Sequence, residues 1–532
     1  MKLRLLLTAA VSLAAAVRVL SGPAPQPGTP AGPYDLLIRN GRVLDGSGNP
    51  WQPADIAIRG GRIAAMGRLD AARATRVIDA SGLTVTPGFI DVHSHAAQGL
   101  SGALNEARPL LAQGLTTVVL NPDGGGPVDI RAERTVFEQH GIGVNVAMYV
   151  PHGSIRREVL GMADRAPTPA ELDRMLALAR AGMEAGAIGL SSGPYYAPGS
   201  YAKTDELVAM ARVAAAGGGV YESHIRDEGD YSIGVVAAVQ EVIRISEEAK
   251  LPGIVAHMKA LGPANWGLSM AMVTRIDQAR ARGIPVYADQ YPYDASGTSV
   301  VGALVPRWAE VGGMAELKKR VDGGDRDRLV ADMQTNLARR GGAGKLMISR
   351  YEPDPSIEGK TLAAVAHAMG RPPVEAALDL LMKGNVGLVS FNMSEADIEE
   401  IMKQPFTMTC TDGDLVPAGQ GKPHPRGNGA FARKLRVYVE ERGVIDLPFA
   451  IRSMTSLPAS VFGMKDRGVL RPGAHADILI FDPAKVRDEA TYQDPHRLSE
   501  GFDYVIVNGR LARDRGTFMG ALAGAVVTPE RQ

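Results

Sequence analysis

The chain has 532 residues, 45% hydrophobic and 22% charged, a composition that buries a real core and argues against a disordered chain. Lys plus Arg and Asp plus Glu balance at 58 each, so there is no basic excess with which to hold nucleic acid or an anionic membrane. The single cysteine, Cys410, excludes an intrachain disulfide and any zinc site built from several thiolates, which leaves His, Asp and Glu to hold a metal.

Residues 1–21 read as a leader. Lys2 and Arg4 precede an apolar run from Leu5 to Val17 that is too short to span a bilayer, and Ala14 and Ala16 offer a small-residue cleavage pattern. The expectation is a cleaved signal peptide and a periplasmic or secreted protein, with no stable membrane insertion after leader removal. Residues 22–33, rich in Pro and Gly, read as a linker. From 34 to 87, short apolar runs broken by Gly, such as Tyr34–Gly41 and Arg62–Gly67, predict a small antiparallel sheet. Matching runs recur in 463–515, at Ala476–Asp482 and Tyr504–Arg510. The two chain ends are therefore expected to complete one small β-sandwich domain.

Residues 88–462 alternate apolar strands with amphipathic helices, the pattern of a parallel sheet. Eight strands are predicted: Phe89–His95, Thr116–Asn121, Val144–His152, Ala187–Ser192, Gly219–His224, Ile254–Lys259, Pro285–Tyr291 and Phe406–Thr411. Eight such units closing on themselves make an α/β fold of the (β/α)8 TIM-like barrel type. Thr168 and Glu171 form a capping box with Pro169 at the first helical position, and Gly186 ends that helix. Ser394 and Asp397 read as a second capping box. The interval between the seventh and eighth strands is too long for one unit. Its helical, Gly-punctuated part, about 297–344, is expected to be a lid, since barrels bind ligands at the face where the strands end.

Chemistry-bearing residues collect at the predicted strand ends. His93 and His95 close the first strand and, two apart, share a face. His224 ends the fifth strand, His257 the sixth, and Asp412 follows the eighth. The chain has only ten His, so four around one barrel mouth point to a metal site for hydrolysis.

Several motifs in one order extend this. Pro87–His95, Ala187–Gly193, Tyr221–Gly229, Ala256–Lys259 with Asn265–Gly267, Gln290–Tyr293, Thr411–Gly413, Lys422–Arg426, and Arg471–Gly473 with Ala476–Asp477 resemble the amidohydrolase superfamily. Within it they look most like the N-acyl-D-amino-acid deacylases (D-aminoacylases), from about Tyr34 to Gly509. The resemblance implies hydrolysis of a linear amide in an N-acyl-D-amino acid, a small-molecule substrate with a free carboxylate. It implies one or two divalent ions, zinc foremost, with His93 and His95 at one position and His224 and His257 at the other. Asp412 would be the catalytic carboxylate, and Lys259, Tyr291 and Arg426 would hold the substrate carboxylate. His152 would polarise the carbonyl or merely support its loop. One departure stands out: Asp123 occupies the place of the usual cysteine ligand. As a harder donor, it would let Mn, Co or Fe compete with zinc. A hydantoinase-like or dihydroorotase-like hydrolase of cyclic amides shares the barrel, but those relatives bridge their metals with a modified Lys that the fourth strand here lacks. A D-residue dipeptidase and an inactive secreted metal-binding barrel complete the alternatives.

Overall fold

The computed structural model describes residues 33–529, so the predicted leader, and all of the predicted linker but Pro33, lie outside the described residues. Among those described, no helix is long and apolar enough to cross a membrane.

Eight parallel strands form the central sheet: β1 (Phe89–Asp91), β2 (Leu115–Leu120), β3 (Asn145–Pro151), β4 (Gly189–Ser192), β5 (Val220–Ser223), β6 (Gly253–Val255), β7 (Val286–Gln290) and β8 (Thr407–Thr409). Each pairs with its successor in that order. β2 and β3 are buried at every position, as strands covered on both faces must be. The ends meet just beyond β8. There Asp412 N donates to His93 O at 2.9 Å and His95 N to Gly413 O at 3.1 Å. The Asp91 carboxylate accepts from Thr411 N at 2.9 Å and from its hydroxyl at 2.5 Å. The contacts that close the barrel are thus made by residues of the candidate site.

Helix Pro169–Glu184 starts as its sequence directs. Glu171 N donates to Thr168 Oγ1 at 3.3 Å, and the Glu171 carboxylate accepts from Thr168 N at 2.7 Å. Gly186, at φ 101°, turns the chain into β4. The second expected box does not form: Ser394 caps no backbone N–H of helix Glu395–Met402. The Asp397 carboxylate instead accepts from Gly267 N at 2.9 and 3.0 Å and from the Ser269 hydroxyl, fastening this helix to the loop after β6.

Both chain ends enter one nine-stranded sheet beside the barrel. Thr84–Pro87 is the seam. It runs parallel to Tyr34–Val43 on one side and antiparallel to Ile478–Phe481 on the other. Ile38, Ile56, Ile58, Val85, Ile478 and Ile506 share its core.

Between β7 and β8 the chain builds more than the helical stretch 297–344. Strands Ser296–Ser299, Leu346–Arg350 and Gly387–Ser390 form an antiparallel sheet with Gly387–Ser390 in the middle. Helices Met314–Asp322, Arg326–Arg339, Leu362–Met369 and Pro373–Leu381 pack on it around Leu317, Leu329, Met333, Ile348 and Leu378. The insertion thus carries a core of its own, and its inner edge forms one wall of the cavity described next.

Candidate metal centre

The candidate ligands leave the strands just past their last hydrogen-bonded residues. β1 ends at Asp91, whose carboxylate also accepts from His93 N at 3.3 Å and so fixes the turn that delivers His93 and His95. His257 lies two residues beyond β6, with its N–H donating to Asp289 Oδ1 at 2.8 Å. Asp123 N donates to Glu222 Oε2 at 3.2 Å. Asn121, Asp123, His257 and Asp412 have φ values of 62°, 58°, 30° and 47°. Non-glycine residues rarely adopt this left-handed region, and such strain persists where a site over-determines the backbone.

Two donor sets result: His93, His95, Asp123 and Asp412, and then Asp123, His224 and His257. Asp123 belongs to both. His93 Nε2 lies 3.4 Å from Asp123 Oδ1 and 3.5 Å from Asp412 Oδ1. His95 Nε2 lies 3.4 Å from Asp123 Oδ2 and 3.2 Å from Asp412 Oδ1. Asp123 Oδ1 is 3.6 Å from His224 Nδ1 and 3.4 Å from His257 Nε2. Four donors about 2.1 Å from a tetrahedral zinc stand ~3.4 Å apart, so these spacings are the edges of such a polyhedron. His93 Nε2, His224 Nδ1 and Asp123 Oδ1 are buried with no hydrogen-bond partner among the described residues. Buried polar atoms are rarely left so, and a cation satisfies all three. The donor set therefore fits a divalent ion.

A second layer of carboxylates orients the imidazoles. Glu222 Oε1 lies 3.2 Å from His93 Nδ1, behind the nitrogen that faces the site. Burial pushes its carboxyl up to about 7. Glu228 Oε1 lies 3.1 Å from His257 Nδ1 and pairs with Lys259. Burial alone would raise its pKa, but Lys259, His224 and His257 bring it below the usual carboxylate range. Carboxylates behind ligating histidines set the ring's tautomer and basicity. Glu222, Glu228, Asp289 and Asp91 are absent from the sequence reading. Glu222 was nevertheless findable: it stands two residues before His224, near the end of β5.

Lys259, Tyr291 and Arg426 all line a cavity of about 1170 Å3 onto which His95, Asp123, His224, His257 and Asp412 also open. Lys259 Nζ is 2.7 Å from His257 Nδ1. Arg426 Cζ lies 4.5 Å from the centre of the Tyr291 ring. Arg426 Nη1 is 2.5 Å from Asp412 Oδ2. Burial opposes ionisation of Asp412, but Arg426 and His257 outweigh it and hold the carboxyl well below its ordinary value. His424 braces this corner, with one ring nitrogen on Ala295 O at 2.9 Å and the other accepting from Arg426 N at 3.1 Å.

His152 does not join them. It starts helix His152–Leu160, is fully buried, and lies outside the cavity lining. Its Nε2 is 2.9 Å from Glu206 Oε1, and Glu206 also binds Arg156 at 2.5 Å. This buried trio ties helix His152–Leu160 to helix Thr204–Ala216. Of the two roles weighed for His152, the geometry favours support of the loop.

Comparison with known proteins places the chain among metal-dependent hydrolases. A family model described as "Amidohydrolase family" matches residues 76–513. A D-aminoacylase of Alcaligenes xylosoxydans xylosoxydans is 34% identical over 518 residues, covering 93% of this chain and 98% of that protein. An N-acyl-D-glutamate deacylase of the same organism is 36% identical, covering 89% and 93%. The crystal structure of an N-acyl-D-glutamate deacylase from Bordetella bronchiseptica, complexed with zinc and a phosphonate that mimics the tetrahedral intermediate, superposes with a TM-score of 0.81 at 35% identity. That match covers 93% of this chain and 100% of the crystallised one.

Proposed function

Because the chain belongs to the amidohydrolase family, we propose that it hydrolyses the linear amide of N-acyl-D-amino acids, releasing a carboxylate and a free D-amino acid. One observation carries the reading: two donor sets meet at Asp123 inside a cavity whose wall also bears Lys259, Tyr291 and Arg426.

His93, His95, His224, His257 and Asp123 would hold zinc, with Asp123 shared between two positions. When bound there, zinc supplies Lewis acidity, drawing electron density from an amide carbonyl and lowering the pKa of water to about 7. The remaining work falls to side chains of this chain. Asp412, kept ionised by Arg426, takes the proton from the water that adds to the carbonyl carbon. It returns that proton to the departing nitrogen as the C–N bond breaks. Lys259 and Tyr291 receive the substrate's α-carboxylate at the mouth of β6 and β7, and Arg426 adds its remaining donors. The insertion acts as a lid over this cavity. The charged start and short apolar run of residues 1–17 support export to the periplasm or beyond, which N-terminal sequencing of the mature protein checks.

The test is release of free amine from paired N-acetyl-D- and N-acetyl-L-forms of Met, Leu, Glu and Phe. Turnover confined to the D series is expected. Equal rates on both series, or none on either, contradict the reading.

A further inference from the structure

The cavity is larger than the reaction above needs. At about 1170 Å3 it exceeds the range of about 300–1,000 Å3 that encloses drug-sized ligands, and an N-acetyl amino acid is smaller than those. The direction of the substrate tells where the remaining space lies. Its scissile carbonyl meets the donor sets, and its α-carboxylate goes to Lys259, Tyr291 and Arg426, beyond β6, β7 and β8. The acyl group lies on the other side of the carbonyl carbon from the departing nitrogen. It therefore leaves across the barrel mouth, towards the segments that follow β1 and β2.

The cavity continues in that direction. Past Asp123 it is lined by Gly124 and Gly125 of the loop after β2, by Ala97 of helix Ala97–Ser101, and by Ala132, Val136 and Phe137 of helix Ile130–His140. Ala132 and Val136 stand four residues apart and so share one face of their helix. On that face Val136 is left 44% exposed, a large apolar side chain that nothing in the chain covers. A Cβ on Gly125 would meet nothing nearer than Pro122 O at 3.8 Å, so the space beside it is open. Between residues 94 and 137 no Lys or Arg lines the cavity, whereas Asp129 and Glu133 do. The Glu133 carboxylate accepts from Asn121 Nδ2 at 2.7 Å, and burial pushes it up to about 7. This arm therefore offers an apolar surface and no counter-charge for an acyl group that bears a carboxylate of its own.

We propose that this arm receives the acyl chain of the substrate, and that the chain is an aliphatic one of medium length such as octanoyl. The proposal rests on the deacylase reading above. Ala132 and Val136 are specificity-determining residues. They touch no reacting atom.

The experiment measures kcat and KM for the N-acetyl, N-butanoyl, N-octanoyl and N-succinyl forms of D-leucine and D-glutamate in the wild type, Val136→Asp and Ala132→Phe. Each methylene laid in a half-covered arm should raise kcat/KM by about twofold, so octanoyl should exceed acetyl by about fiftyfold, mainly through KM. The succinyl forms should do no better than the acetyl ones. Val136→Asp puts a charge in the arm, and Ala132→Phe narrows it. Each should lower kcat/KM for the octanoyl form by about tenfold and for the acetyl form by less than about twofold. Both positions lie on an exposed helix face, so the fold should survive either change. Equal losses on acetyl and octanoyl substrates in both variants, or a wild-type kcat/KM that does not rise with chain length, overturn the acyl arm and leave the deacylase reading standing. No turnover of any of these D substrates overturns both.

Discussion

Loading the metal-free protein should expel protons, and the site gives their number. Burial by itself would strip His95, but Asp123 and Asp412 more than reverse this and carry it up to about 10. Burial and Lys259 likewise oppose a charge on His257, and Asp412, Asp123 and Glu228 raise it to about 9. His93 is raised for the same reason, whereas burial lowers His224. At pH 8 the metal-free centre is therefore expected to carry imidazolium at His95 and His257, with His93 shifted in the same direction and His224 neutral. Ligation needs the nitrogen lone pair, so binding should release about two to three protons per fully loaded chain. The count should fall as pH rises through 9 and 10, because His257 and then His95 lose their protons before metal arrives. Calorimetric titration of zinc into chelated protein, repeated in buffers of different ionisation enthalpy, reads the number directly. Stoichiometric binding at pH 8 with no proton release would refute the ligand assignment.

Other predictions test separate parts of the site and fold. Asp412→Asn should lower kcat by about a hundredfold or more, as amine-release kinetics would report, and should also lower the melting temperature, because the buried Arg426 loses its counter-charge. Glu222→Gln removes the carboxylate behind His93 Nδ1 and should weaken metal binding by about 10–100-fold in a chelator competition. Lys434 is buried against Thr409 Oγ1 and Ser453 Oγ, each at 2.8 Å, and burial lowers its pKa to about 7. Between that value and its unfolded pKa near 10.4, the unfolded chain holds a proton that the folded one lacks. Stability attributable to Lys434 therefore rises with pH, by up to about 4 kcal/mol from pH 7 to 10. Lys434→Met should raise the melting temperature at pH 7 and flatten that dependence.

Much of this was legible in the sequence because barrel chemistry sits at strand ends. Each of the eight predicted strands overlaps an observed one, and His93, His95, His224, His257 and Asp412 follow directly after them. The strands themselves were read too long. The regular strand of Phe89–His95 ends at Asp91, where that carboxylate turns the chain, and no periodicity reports a side chain capping its own backbone. Long-range partners were equally hidden. Ser394 with Asp397 has the spacing of a cap, but the loop after β6 claims Asp397 from 130 positions away. The sheet of the insertion was missed because Ser296–Ser299 and Leu346–Arg350 are four and five residues long and both pair with Gly387–Ser390 across intervening helices.

The most direct measurement is to strip the metal from purified protein and to assay amide hydrolysis of an N-acetyl-D-amino acid while zinc is returned in steps, with bound metal quantified at each step. The expected result is no activity in the stripped protein and recovery as the ions fill, abolished in Asp123→Ala together with metal retention. Full activity in metal-free protein, or unchanged metal content and rate in Asp123→Ala, would contradict it.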